Sequence, residues 1–104
     1  MAEPFSVLAE PARRRILDLL LERPRLVGEL TEALGLSQPG TSKHLRVLRE
    51  AGLVTVRRDG QRRWYELRAE PLVELDEWLT PYRWMWADRF DALERHLDTM
   101  DDDA

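Results

Sequence analysis

At 104 residues, 43% hydrophobic and 35% charged, the chain has the length of one domain and too much apolar content for a disordered one. The absence of cysteine excludes disulfides, thiolate metal ligands and thiol redox chemistry. The net charge of −4 hides an asymmetry: residues 1–69 hold 13 Lys+Arg against 9 Asp+Glu, residues 70–104 hold 3 against 11, and residues 37–68 alone hold 8 against 3. That is a basic face on an acidic body, and it implies an anionic partner at residues 37–68.

In chain order, Phe5, Leu8 and Ala9 suggest a short apolar helix. Pro11 suits the first position of a second helix, where a missing N–H costs little. Ile16, Leu17, Leu20 and Leu21 follow at helical spacing, and Pro24 ends that helix. Leu26, Val27, Leu30 and Leu34 make a third helix, closed by Gly35 in a left-handed conformation. Ser37 is a good N-cap for a fourth, with Pro39 just inside it. Thr41, Leu45 and Leu48 form its inward stripe, and Gly52 stops it. Two helices joined by a short Gly-containing turn, each with one narrow apolar stripe, fit a helix-turn-helix.

A hairpin follows. Residues 53–58 alternate, Asp59-Gly60 reads as a two-residue turn needing positive φ twice, and Gln61 to Leu67 returns. That turn opposes Arg58 to Gln61, Val56 to Arg63 and Val54 to Tyr65, and puts Val54, Val56, Tyr65 and Leu67 on the buried side. From Glu70 the helical period resumes through Leu72, Leu75, Leu79, Tyr82, Trp86, Phe90, Leu93, Leu97 and Met100. Pro81 either kinks this helix or breaks it, with Thr80 as a new N-cap. Asp101 to Asp103 read as a frayed tail. No uncharged stretch nears the ~20 residues that cross a bilayer. Met1 to Pro4 lack the features of a signal peptide. A cytoplasmic location without a membrane partner is expected.

A helix-turn-helix followed at once by an Arg-rich hairpin has the logic of groove insertion plus backbone clamping, with double-stranded DNA as partner. A helix fits the major groove, where each base pair displays a distinct donor and acceptor pattern. Gln38, Ser42, Lys43 and Arg46 lie away from the apolar stripe and can reach base edges or phosphates. Ser37 and the free N–H groups at the helix start can hold a phosphate, and Thr41 belongs to the same first turns. Gly40 and Ser42 are small enough for close backbone approach. His44 serves equally as a phosphate contact or as a polar rim residue. Arg57, Arg58, Arg62 and Arg63 surround the hairpin tip, where their mutual repulsion is best tolerated if an anion visits. The bland alternatives are a solvated helix face and a charged tip that guards an exposed edge. Trp64 is read as structural.

Residues 5–68 resemble the winged helix-turn-helix of the ArsR/SmtB family of bacterial repressors. The matching stretches run from Leu8 to Leu17, from Leu36 to Leu45 and from Leu48 to Val54. The resemblance implies a mainly α fold with a small β-hairpin, in a single domain spanning 1–104. Residues 37–51 would be the recognition helix, 53–68 the wing and 70–100 a C-terminal dimerisation helix region. It implies a homodimer on a near-palindromic operator, joined through the first and last helices: Phe5, Leu8, Leu75, Leu79, Tyr82, Trp86, Phe90, Leu93 and Leu97.

The chain departs from the metal-sensing members. Leu26 to Leu30 lack their cysteine motif, and Trp78 stands where a first histidine of the last helix would be. His44 and His96 are isolated, so no metal and no cofactor is implied. Trp78, Trp84 and Trp86 remain. The plain reading is dimer core. Trp84 and Trp86 are ~200° apart on a helix and cannot both face one way, so one of them is a candidate lining for an apolar pocket that takes a small effector. The competing function is a winged helix that binds a protein partner and not DNA, which the basic wing disfavours. An enzyme is not expected: Gly35, Gly40 and Gly52 are too scattered for a phosphate loop, and no nucleophile–base pair is evident.

Overall fold

The structure is a computed structural model that describes residues 4–102. It forms two compact units, one up to Val73 and one from Glu74 onward. In the first, α1 (Pro4–Val7) is a single turn that buries Val7. The arginines that open the next helix satisfy the carbonyls at and just after its end: Arg13 donates to Val7 O (3.2 Å), and Arg14 to Leu8 O (2.6 Å) and Ala9 O (3.2 Å). Helix α2 (Pro11–Glu22) starts at proline as expected and buries Ile16, Leu17 and Leu20. Its C-cap, Arg23, is extended, as the residue before a proline prefers.

One element escapes the sequence reading. Arg25 and Leu26 form a two-residue strand, β1, antiparallel to a strand of the hairpin, with Arg25 opposite Tyr65 and Leu26 opposite Trp64. The third helix, α3 (Val27–Leu34), therefore begins one residue later than its apolar period suggests, because Leu26 is extended (φ −81°, ψ 155°). Glu29 secures the start of α3 by accepting the Leu26 N–H (3.2 Å) and pairing with Arg23 (2.7 Å). The Arg23 bond first and the Leu26 N–H second hold the Glu29 carboxyl below its ordinary range. Gly35 ends α3 at φ +67°, its N–H bonded to the Thr31 carbonyl (3.0 Å), as expected.

Helix α4 (Gln38–Glu50) is capped by Ser37, whose Oγ accepts the Gly40 N–H (3.1 Å). Thr41, Leu45 and Leu48 are buried on one stripe. Leu45 and Leu48 meet Ile16, Leu20, Leu30, Leu53, Val54 and Tyr65 in one core. Truncating a fully buried leucine such as Leu48 removes about 2–5 kcal/mol.

The hairpin comprises β2 (Val54–Asp59) and β3 (Arg62–Leu67), in a three-stranded sheet ordered β1-β3-β2. Its register differs from the expected one: Asp59 opposes Arg62, Arg58 opposes Arg63, Val56 opposes Tyr65 and Val54 opposes Leu67. The loop is Gly60-Gln61, with Gly60 alone at positive φ (+63°). That is the pattern of a turn needing a left-handed residue only at its first central position. Moving the turn by one residue changes every pairing by two, an even number, so the faces are unchanged. Val54 and Tyr65 are buried and Val56 and Leu67 pack against the core, as the alternation requires.

Helix α5 (Leu72–Asp102) is continuous through Pro81, which settles the open alternative against a break. Thr80 is no N-cap: its hydroxyl donates to the Asp76 carbonyl (2.9 Å). Asp101 and Asp102 belong to the helix rather than to a frayed tail. Asp103 and the side chain of Met100 lie outside the described residues. Leu75 and Leu79 are half-buried, and Tyr82, Trp86, Phe90, Leu93 and Leu97 are exposed along one side of this helix.

Candidate nucleic-acid interface

Helix α4 turns one stripe into the core and therefore the opposite one to solvent. Ser37, Gln38, Ser42, Lys43 and Arg46 are exposed, and Gly40 and His44 are half-buried. Thr41 requires a correction. It is fully buried, and its hydroxyl donates to the Ser37 carbonyl (3.1 Å). It holds the first turn of α4 and has no path to a ligand. Gly40 also has a local reason: a Cβ there would lie 3.1 Å from the capping Ser37 Oγ.

Pro39, Ser42, Lys43 and Arg46 line one open cleft along α4. Arg46 continues into a second with Arg49, Glu50 and residues 54–56 of β2. At the hairpin tip, Arg58, Gly60, Gln61 and Arg63 line a third. The exposed side of α4 and the hairpin are thus joined by a nearly continuous line of cations. Arg49 is the residue that sequence reasoning missed. Its signal was present, because Ser42, Arg46 and Arg49 follow one another at i, i+4 and i+7.

The four hairpin arginines do not act alike. Arg57 pairs with Glu66 (2.8 Å), and Arg62 stands opposite Asp59. Among the described residues, Lys43, Arg46, Arg49, Arg58 and Arg63 enter none of the ion pairs, which join Arg23 to Glu29, Arg25 to Glu22, Arg57 to Glu66, Arg68 to Glu70 and Arg83 to Asp76. His44 accepts a bond at Nδ1 from Arg13 Nε (3.3 Å), which ties α4 to α2.

Trp78, Trp84 and Trp86 are all on α5. Trp84 is 72% exposed, Trp78 and Trp86 are exposed, and Trp78 packs against Tyr82 with ring centroids 4.9 Å apart. Among the described residues, no three His, Asp or Glu side chains group as a metal site requires. No described helix is long and apolar enough to cross a membrane.

A helix-turn-helix of α3 and α4, followed by an antiparallel hairpin against the same core, is a winged helix-turn-helix. Residues 10–56 match the family described as bacterial regulatory protein, arsR family. An uncharacterized HTH-type transcriptional regulator of Mycobacterium tuberculosis is 51% identical over 75 residues, 71% of this chain and 66% of that protein, so the chain spans just under two thirds of this relative. The transcriptional repressor SdpR of Bacillus subtilis is 33% identical over 76% of this chain and 88% of its own length. A solved homodimeric winged helix-turn-helix DNA-binding domain from Mycobacterium bovis, described as a possible ArsR-family transcriptional regulator, is similar at 32% identity and a TM-score of 0.61, covering 75% of this chain and 72% of that one. The chain belongs to the arsR family. That family is one of transcriptional regulators and not of enzymes.

Proposed function

We propose that this chain is a cytoplasmic, dimeric, metal-independent repressor that binds a near-palindromic DNA operator. The observation that carries the reading is the row of cations from Lys43 through Arg46 and Arg49 to Arg58 and Arg63, which enter no ion pair among the described residues and share their clefts with one carboxylate, Glu50. Solvated surface charges tend to intersperse with opposite ones. A predominantly cationic track beside a helix that fits a groove suits a polyanion of fixed spacing. In this reading residues 37–51 form the recognition helix. Gln38 and Ser42 reach base edges, and Ser37, Lys43, His44 and Arg46 reach phosphates or bases nearby. The wing of residues 53–68 grips the flanking backbone through its arginines.

Dimerisation through the C-terminal region of residues 70–100, together with Phe5 and Leu8, is supported by the exposed stripe from Tyr82 to Leu97, which water alone covers poorly. Metal independence is supported by the absence of cysteine from the sequence, since soft thiophilic metals select thiolate ligands. An apolar effector held near Trp78, Trp84 and Trp86 of the paired α5 helices would couple ligand to the spacing of the recognition helices.

The test is fluorescence anisotropy with duplexes tiled across the DNA upstream of the chain's own gene, over a range of salt. Binding to one duplex in strong preference to the others, weakening linearly with log salt, is the expected result. Equal, salt-insensitive or absent binding would replace the reading with that of a protein-interaction winged helix.

A further inference from the structure

We propose that Arg49, Arg58 and Arg63 form one phosphate clamp, which closes on a single phosphodiester of the bound duplex between the end of α4 and the inner face of the wing; this rests on the DNA-binding reading above. The clamp is a product of register. Arg58 stands directly opposite Arg63, next along the same faces of their strands from Val56 and Tyr65. Both therefore project from the side of the hairpin that packs on the core, where β2 meets α4. Arg49, in the last turn of α4, completes an open cleft of about 240 Å³ that it lines with Arg58, Arg63 and Val56.

Like charges placed directly across two strands destabilise a hairpin. The other face of this hairpin avoids the problem: Arg57 is neutralised by Glu66, and Arg62 stands opposite Asp59. The inner face leaves it unresolved and adds a third guanidinium. An anion in the cleft resolves all three at once. Guanidinium forks converge well on a tetrahedral phosphate. The end of α4 cannot supply this attraction through its backbone, since a helix C-terminus is the negative pole. The side chains carry it alone. The shared target predicts that the three arginines act as one unit and not as three contacts.

The experiment measures duplex affinity against salt for the full chain and for R49Q, R63Q and the R49Q/R63Q double variant, with R95Q on α5 as a control for net charge. Each single change is expected to weaken binding about tenfold or more, because opening the clamp at one arginine releases the shared phosphate. Each should lower the salt slope by about 0.9, one phosphate's worth. The double variant should lose little more than either single, with the same single step in slope. In the free protein R63Q should melt no lower than wild type, because repulsion is relieved, and R63K should keep the slope while losing affinity. A double variant whose losses multiply to about a hundredfold and whose slope falls by two steps would assign two separate phosphates and overturn the clamp. Singles that bind like wild type would overturn it as well, leaving the DNA reading in place. A wild-type chain that binds no duplex at low salt would remove both.

Discussion

His44 shows how one hydrogen bond assigns a side chain its chemistry. An arginine Nε–H can only donate, so the Nδ1 it meets at 3.3 Å must accept. The ring proton then sits on Nε2, which becomes the donor offered to a ligand. Arg13→Ala is expected to release that tautomer and weaken operator binding about fivefold, the worth of one net hydrogen bond. Nitrogen NMR of the His44 ring would report the tautomer, and anisotropy the affinity. Glu29 makes a second test at this scale. Its pKa is lowered on folding, so its stabilisation is present above the ordinary carboxylate range and is lost as pH falls through the lowered value. Wild type should therefore exceed Glu29→Gln in thermal stability at neutral pH, and the gap should narrow as pH falls through and below the ordinary carboxylate range. A gap that stays constant into acid would dismiss the ion pair with Arg23 as its source.

At the scale of elements, α4 depends on its first turn. Ser37 satisfies the Gly40 N–H with its side chain and the Thr41 N–H and hydroxyl with its carbonyl. Ser37→Ala should cost about 1 kcal/mol, a fall of roughly 4–8 °C in Tm for a domain of this size, with the heat of unfolding measured by calorimetry. Removing that hydroxyl while Tm stays unchanged would mean that water caps the helix equally well. Thr41 was legible as a member of the inward stripe by spacing alone. Its polar side chain also invited a ligand-binding role, and only its burial decides between the two. The hairpin tells a similar story: alternation determined its faces, while its register waited on which residue takes the left-handed position. Gly60 takes it, and Gln61 does not need to.

For the molecule as a whole, the proposed dimerisation rests on the exposed stripe of α5. Trp86, Phe90 and Leu93 are each about half exposed or more, which a second copy would cover. Leu93→Glu should weaken self-association by roughly a hundredfold or more, because it buries a charge without a partner. Sedimentation velocity across a concentration range would read the change. On the proposed palindromic-operator reading, DNA affinity should fall with it, since two half-sites would no longer be linked. A Leu93→Glu protein that sediments as wild type would move the interface elsewhere.

Periodicity, caps and punctuation determined most of what the chain is: helices at the expected places, a winged hairpin, and a basic segment between two less basic ones. These features are local, each decided by residues within a few positions of one another, so the amino-acid order alone carries them. Tertiary structure decided what depends on distant partners. The strand at Arg25 exists because Tyr65 and Trp64 offer it an edge. Arg49 joins the wing because folding brings the end of α4 beside Arg58 and Arg63. Glu66 removes Arg57 from the free cations by facing it across the hairpin. Charge and hydrogen bonding act through space, and no spacing rule along the chain can say which distant side chain will answer.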